Sequence, residues 1–273
     1  MITKKLLRVR IQQILRNTGL LSPVERLRYL GKLLQYRNKN RKFVRENPNF
    51  ALPPAWLAFD AYSSHHWQFY KLSGEVTARF LTDILQKHFP SQQPNAIFEW
   101  GCGPGRVIRQ MPAVLDERIE LHASDYNPES IEWCGKHIPR VHFLVNHLTP
   151  PLPYPNQSFD FIYAISVFTH LSEKNCLDWI AELHRVMRPD GILLITTDSD
   201  SAYRKEMLPA EKKQYEEQGF IVRDRYEEGK KMFLARHSPR YIRETLLRQF
   251  TVLEHVPEAF PFMKQDYWIA RKK

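Results

Sequence analysis

The sequence predicts an α/β protein: a mostly parallel sheet covered by helices on both faces, behind an N-terminal helical extension. Two observations predict the sheet. From residue 96 onward, short apolar runs alternate with helical patterns, the rhythm of strand–helix–strand units. The first run, Asn95-Ala-Ile-Phe-Glu99-Trp-Gly101-Cys-Gly103-Pro-Gly105-Arg106, reads as a buried strand that breaks into three glycines at alternate positions, with a helix opening near Val107. A third observation separates the extension. Residues 1–50 hold thirteen Lys and Arg against Glu25 and Glu46, a net +11, while the 273-residue chain is +10 as a whole. The other 223 residues therefore sum to −1, so the basicity belongs to an arm and not to the sheet domain.

Residues 3–17 place Leu6, Leu7, Val9, Ile11, Ile14 and Leu15 among basic residues, a rough helical stripe that Gly19 ends. Ser22-Pro23-Val24-Glu25 has the form of a capping box with proline at the first helical position, and Leu27, Leu30, Leu33 and Leu34 continue at helical spacing. Such a basic pair of helices packs on the domain or a second subunit, lies on an anionic membrane surface, or touches nucleic acid. Pro48, Pro53 and Pro54 close the arm at about residue 50. Residues 51–90 form an aromatic-rich helical segment with Trp56, Phe59, Tyr62, Trp67, Phe69 and Tyr70, and a helix from Gly74 to His88. The sheet domain takes residues 91–273.

Within it the second strand runs from Ile119 to Ala123 and ends at Ser124-Asp125, and Asn127-Pro128-Glu129 caps the following helix. The third strand is Val141 to Val145. A proline-rich loop leads to the fourth, Phe159 to Ser166, and Ser172-Glu173 opens a helix. Arg188-Pro189-Asp190-Gly191 turns into the fifth strand, Ile192 to Thr197. Residues 199–237 are polar and read as an insertion, a mobile helix and loop over the site. Ser238-Pro239 starts another helix, and Phe250 to Val256 and Tyr267 to Ala270 are the last strands.

No stretch approaches the ~20 apolar residues of a membrane span. The N-terminus lacks an apolar run of signal-peptide length, and Cys102, Cys134 and Cys176 are odd in number and scattered, so a cytoplasmic protein with reduced thiols and no metal site is expected.

A glycine bend at a strand end lets backbone approach a ligand, and the helix start behind it offers free N–H groups and a positive dipole end. Dinucleotide sites want Gly-x-Gly-x-x-Gly, but here the last of those positions is Arg106. With an acidic residue two positions before Gly101, the stretch instead resembles the first motif of the class I S-adenosylmethionine-dependent methyltransferases. Ser158 to Leu171 and Glu182 to Gly191 are similar to later motifs of the small-molecule and carbohydrate-associated members, and Gly101 to Arg106, Ile131 to Cys134 and Pro150 to Tyr154 resemble a bacterial subgroup of them. The likeness covers about 96–197 closely, the C-terminal strands loosely and residues 1–50 not at all. It implies a Rossmann-like seven-stranded sheet closed by a hairpin-like pair, S-adenosyl-L-methionine as cofactor, and a segment before the first strand folded over the site, with Trp67 and Tyr70 as the covering residues.

Asp125 lies twenty residues beyond Gly105, where a carboxylate can accept both hydroxyls of a ribose. Asn146 and His147 follow the third strand, where the resemblance implies an adenine-side role and an amide can both donate and accept. Glu99, Gly101, Gly103, Gly105, Tyr126 and Ser166 complete the expected cofactor set. A hydroxyl acceptor needs a base, and His170, just past the fourth strand, is the expected one. The acceptor end of strand four reads Ala164-Ile-Ser-Val167, not the Asn/Asp-Pro-Pro-Tyr of base amino methylation, and no cysteine follows a proline as carbon methylation of cytosine would want. These readings favour a small-molecule or sugar acceptor methylated at oxygen. An RNA methyltransferase using the arm and a non-catalytic cofactor-binding module are the rivals, and Arg106 argues against a nicotinamide oxidoreductase.

Overall fold

The computed structural model describes residues 4–91 and 93–273; Met1 to Thr3 of the basic arm and Gln92 lie outside the described residues, as do the side chains of residues 4–8, including Leu6 and Leu7 of the expected stripe. The arm is two helices, α1 (Lys4–Asn17) and α2 (Leu21–Glu46), and α3 (Ala55–Tyr62) and α4 (Trp67–His88) precede the sheet. Ser22 does not cap α2: the helix already begins at Leu21, with no side-chain cap, so Pro23 sits inside its first turn. The fourth helix starts seven residues before Gly74, because His66 to Tyr70 already close helical backbone bonds.

The sheet is seven-stranded and mixed, as expected. Strands β1 (Ala96–Trp100), β2 (Glu120–Asp125), β3 (His142–Val145), β4 (Phe159–Ala164) and β5 (Met187–Asp198) run parallel. The helix α5 (Pro128–His137) connects β2 to β3, and α6 (Glu173–Val186) connects β4 to β5. The short α7 (Asp200–Tyr203), α8 (Pro209–Gln218) and the strands β6 (Phe220–Arg223) and β7 (Leu234–His237) follow. A single turn, α9 (Pro239–Tyr241), then leads to β8 (Phe250–Val256) and β9 (Gln265–Lys272), which close the sheet antiparallel in the order β3-β2-β1-β4-β5-β9-β8. The order reverses between β1 and β4, so the loops leaving their carboxyl ends part and open a crevice there.

Alternation in β1 explains the two layers. Phe98 and Trp100 face α6, with Trp179, Leu183 and Val186. Ile97 faces α4, with Leu81 and Leu85. Parallel strands buried on both faces read as near-continuous apolar runs, which is why β1, β4 and β5 are legible in the sequence.

Three expectations are corrected. No α-helix opens at Val107: the segment Ile108–Ala113 is a 3₁₀ helix, since Pro112 removes the N–H a longer helix would use. The turn at Arg188 to Gly191 is a bend inside β5, where Asp190 takes a left-handed conformation (φ 59°). The insertion is not only helix and loop, because β6 and β7 pair as an antiparallel two-stranded sheet.

One close contact was not foreseen. Gly74, in the middle of α4, lies against the Arg106 carbonyl, and a Cβ there would collide with it. Backbone cannot move aside as a flexible side chain can. Gly74→Ala should therefore lower the free energy of unfolding by about 2 kcal/mol, within the range for overpacking. Urea unfolding of the two proteins measures it; equal midpoints would mean that α4 slides away at no cost.

Candidate functional site

Along β1 the backbone leaves the sheet at Trp100, and Gly101 and Gly103 take positive φ (78° and 53°) in the bend that follows. The Gly101 and Cys102 N–H groups donate to the Ser124 carbonyl at 2.8 and 3.0 Å, tying the bend to the tip of β2. The Gly103 N–H donates to Asp125 Oδ2 at 2.8 Å, and the Asn127 N–H to Asp125 Oδ1 at 2.9 Å. The carboxylate is buried, and burial raises its pKa against those two bonds. Asn127 separately caps α5, its side chain accepting from the Glu129 and Ser130 N–H groups.

The aromatic segment covers the outer side of the bend. Tyr62 donates to the Cys102 carbonyl at 3.2 Å and Tyr70 to the Pro104 carbonyl at 2.7 Å. An added Cβ at Gly103 would lie 3.2 Å from the Tyr62 hydroxyl and 3.3 Å from Ala61. Trp67 does not cover the site: it packs with Phe43, Ala58 and Tyr70, between α4 and α2. Tyr62 takes that place, and only its position at the end of an aromatic run hints at it.

A cavity of about 560 Å³ opens at the carboxyl ends of β1 to β4. Glu99, Gly101, Gly103, Asp125, Tyr126, Asn146, His147, Ser166 and His170 all line it. Gly105 does not: its missing Cβ makes room for Ile138 and Cys134, so this glycine packs the bend on the end of α5 instead of facing a ligand. Inside the cavity Glu99 accepts from the Tyr163 hydroxyl at 3.0 Å, and burial pushes its pKa up to about 8. A carboxyl so placed stays largely protonated at neutral pH until a cation arrives. Asn146 donates to the His147 carbonyl at 2.6 Å, while its Oδ1 is buried with no partner among the described residues. The Ser166 hydroxyl donates to Gln265 Oε1 at 2.8 Å.

His170 Nδ1 lies 2.8 Å from the Phe233 carbonyl. A carbonyl only accepts, so Nδ1 carries the proton and Nε2 of the neutral ring is left as an acceptor. Burial lowers the His170 pKa, and Arg236 lowers it further.

The insertion supplies wall residues that the sequence alone did not single out. Gly229, Lys231, Leu234 and Arg236 line the cavity. The Gly229 N–H donates to the His170 carbonyl at 3.0 Å and Gly229 accepts from Tyr126 at 3.2 Å, so the insertion seats between the tips of β2 and β4. Arg236 pairs with Asp198 and stacks on Tyr203, and Lys231 reaches Glu25 of the arm at 3.3 Å. The arm packs on the same insertion, since Arg16 donates to the Arg223 carbonyl at 2.8 Å. No local pattern in a polar stretch marks these four; only the closing hairpin β6–β7 brings them inward.

Residues 97–191, from β1 to the start of β5, match the family model described as a methyltransferase domain. Among curated proteins, the malonyl-[acyl-carrier protein] O-methyltransferase of Enterobacter lignolyticus is 24% identical over 143 residues, which are 51% of this chain and 51% of that protein. The chain thus spans about half the length of that relative, and 27–54% of three further curated relatives. Among solved structures, the PH0226 protein of Pyrococcus horikoshii superposes with a TM-score of 0.54 at 14% identity, over 79% of this chain and 95% of that one. The 1,6-didemethyltoxoflavin-N1-methyltransferase of Burkholderia thailandensis, solved with its namesake compound and S-adenosylhomocysteine, has a TM-score of 0.50 at 19% identity, over 73% of this chain and 79% of that one. At these identities the superpositions speak for the fold.

Proposed function

We propose that the protein is an S-adenosyl-L-methionine-dependent methyltransferase that acts on a small-molecule or sugar hydroxyl. One observation carries the reading: the glycine bend after β1, a buried carboxylate after β2, an unpartnered buried amide oxygen after β3 and a histidine after β4 line a single cavity. The residues present fit the cofactor. Glu99 and the Gly101–Gly103 bend hold its amino-acid end. Asp125 accepts the ribose hydroxyls, and Asn146 Oδ1 accepts from the adenine amino group, with Tyr126, His147 and Ser166 beside them. Bound there, S-adenosyl-L-methionine supplies a methyl group made electrophilic by the sulfonium charge.

The chain's own part is alignment, exclusion of water and removal of one proton. A positioned acceptor and a dry wall supply most of the acceleration in such a transfer. His170 Nε2 takes the acceptor's proton, since Nδ1 is committed to the Phe233 carbonyl. Oxygen is favoured by three of the curated relatives, which are named O-methyltransferases.

Calorimetric titration with S-adenosylhomocysteine tests the cofactor. Absence of heat at millimolar ligand ends the proposal. The same titration reads out Glu99. Its carboxyl, held near pKa 8 by burial, must ionise when the ligand ammonium arrives, so binding at pH 7 should release most of a proton. Enthalpies in Tris and in phosphate should then differ by the difference in buffer ionisation heats. Equal enthalpies would remove Glu99 from the assignment while leaving the rest intact.

A further inference from the structure

We propose that α2 docks the protein on an anionic lipid bilayer. Between Glu25 and Glu46 this helix carries eight Lys and Arg and no acid. Its inward face is set by Glu25 and Phe43, which are buried, and by Tyr29 and Tyr36, which contact Phe59 and His66. The outward face lies opposite. Leu27, Leu30 and Leu34 are 68%, 48% and 76% exposed and, at 100° per residue, fall within an arc of about 60°. Arg37, Arg41 and Arg45 continue the same face, line a shallow groove together with Val44, and form no ion pair among the described residues. On one continuous face the three leucines can enter the acyl boundary at the N-terminal half of the helix while the unpaired guanidinium groups of its C-terminal half meet lipid phosphate, so the attraction is chiefly electrostatic.

Charge decides between the occupants. A second copy would bring one cationic face against another, each from an arm of net +11. A nucleic acid would leave the three leucines facing a polar surface, and the helix's two tyrosines, the groups that could stack on bases, are turned inward. An anionic bilayer satisfies both halves of the face. No helix among the described residues is long and apolar enough to cross a membrane, so the contact is peripheral. The face is separate from the cavity, and the inference does not depend on the catalytic reading.

Co-sedimentation of the full chain with vesicles tests it. The protein should bind an equal mixture of phosphatidylcholine and phosphatidylglycerol, fail to bind phosphatidylcholine alone, and lose affinity as salt rises. Leu27→Glu with Leu34→Glu should weaken binding by about a hundredfold, roughly tenfold for each leucine no longer buried in the interface. Because both positions are exposed, the melting temperature should stay put. Arg37→Gln, Arg41→Gln and Arg45→Gln together should flatten the salt dependence. Failure to bind the mixed vesicles overturns the proposal, as does binding that the leucine variant leaves unchanged. So would a dimer by light scattering that the leucine variant dissolves, or RNA binding through the three arginines in place of vesicle binding.

Discussion

Asp125→Ala lowers the affinity for S-adenosylhomocysteine by about a hundredfold or more. The expectation follows from what the carboxylate does twice over. It accepts the Gly103 and Asn127 N–H groups, which fixes the glycine bend against the tip of β2. In the proposed complex it also accepts the ribose hydroxyls. Hydrogen bonds to a charged group contribute about 1.5–3 kcal/mol each, so losing the pair to the ribose alone gives a loss of ~10² to 10⁴ in binding. Alanine leaves the two N–H groups without their acceptor as well, so the bend loosens. Asp125→Asn separates the two effects. It keeps one carbonyl oxygen for one N–H but presents an NH₂ where the second acceptor stood. Its affinity should fall between those of the other two proteins. Calorimetry on all three, with unfolding of the unliganded proteins as control, measures this. An alanine variant that binds as tightly as the parent rules out the ribose role.

How far the sequence reached depended on whether a residue's job is local. Glycines at alternate positions mark the bend, because Gly101 and Gly103 need positive φ where other side chains are strained. Ser172 and Asn127 cap helices that their neighbours already announce. Tips of successive parallel strands converge by topology, so the strand order alone brings Asp125, Asn146 and His170 to one end of the sheet. The misses are residues whose role is set by distant chain. Gly74 is one more residue on an amphipathic helix until Arg106, thirty-two positions later, passes under it. Gly105 belongs to the motif by spacing, yet it faces the end of α5, where a Cβ would meet Ile138 and Cys134, a neighbourhood that only the folded chain brings to it. Lys231 and Arg236 sit in a polar run whose short strands, four residues each, carry too little periodicity to read. Pro112 is a local signal against a regular helix after the bend, because it lacks the N–H that such a helix would use there.

His170→Asn should cut turnover by about 10²- to 10⁴-fold, the usual contribution of a positioned base, while leaving S-adenosylhomocysteine affinity within a factor of two or so of the parent. Asparagine can still donate to the Phe233 carbonyl from its amide, so the loop and the Gly229 contact persist. What disappears is the acceptor at Nε2. The pH dependence gives a second and sharper readout. Burial disfavours the imidazolium and the nearby Arg236 adds repulsion, so the folded His170 pKa lies below its ordinary 6.5. A base works only when unprotonated. Turnover in the parent should therefore be flat at neutral and mildly alkaline pH and fall only on the acid side, below pH 6.5, as the ring takes a proton. The same shift has a sign for stability: the neutral ring is favoured by folding, so its contribution is whole above pH 6.5 and fades as pH drops through the folded value. In His170→Asn the acid limb of the rate profile should vanish along with most of the rate. A variant that keeps full turnover and the same acid limb means the acceptor loses its proton elsewhere. A comparable loss of rate whose residual turnover keeps the acid limb would make His170 a positioning residue for the insertion, held through its Phe233 and Gly229 bonds. Rate and profile must fall together for the base assignment to stand.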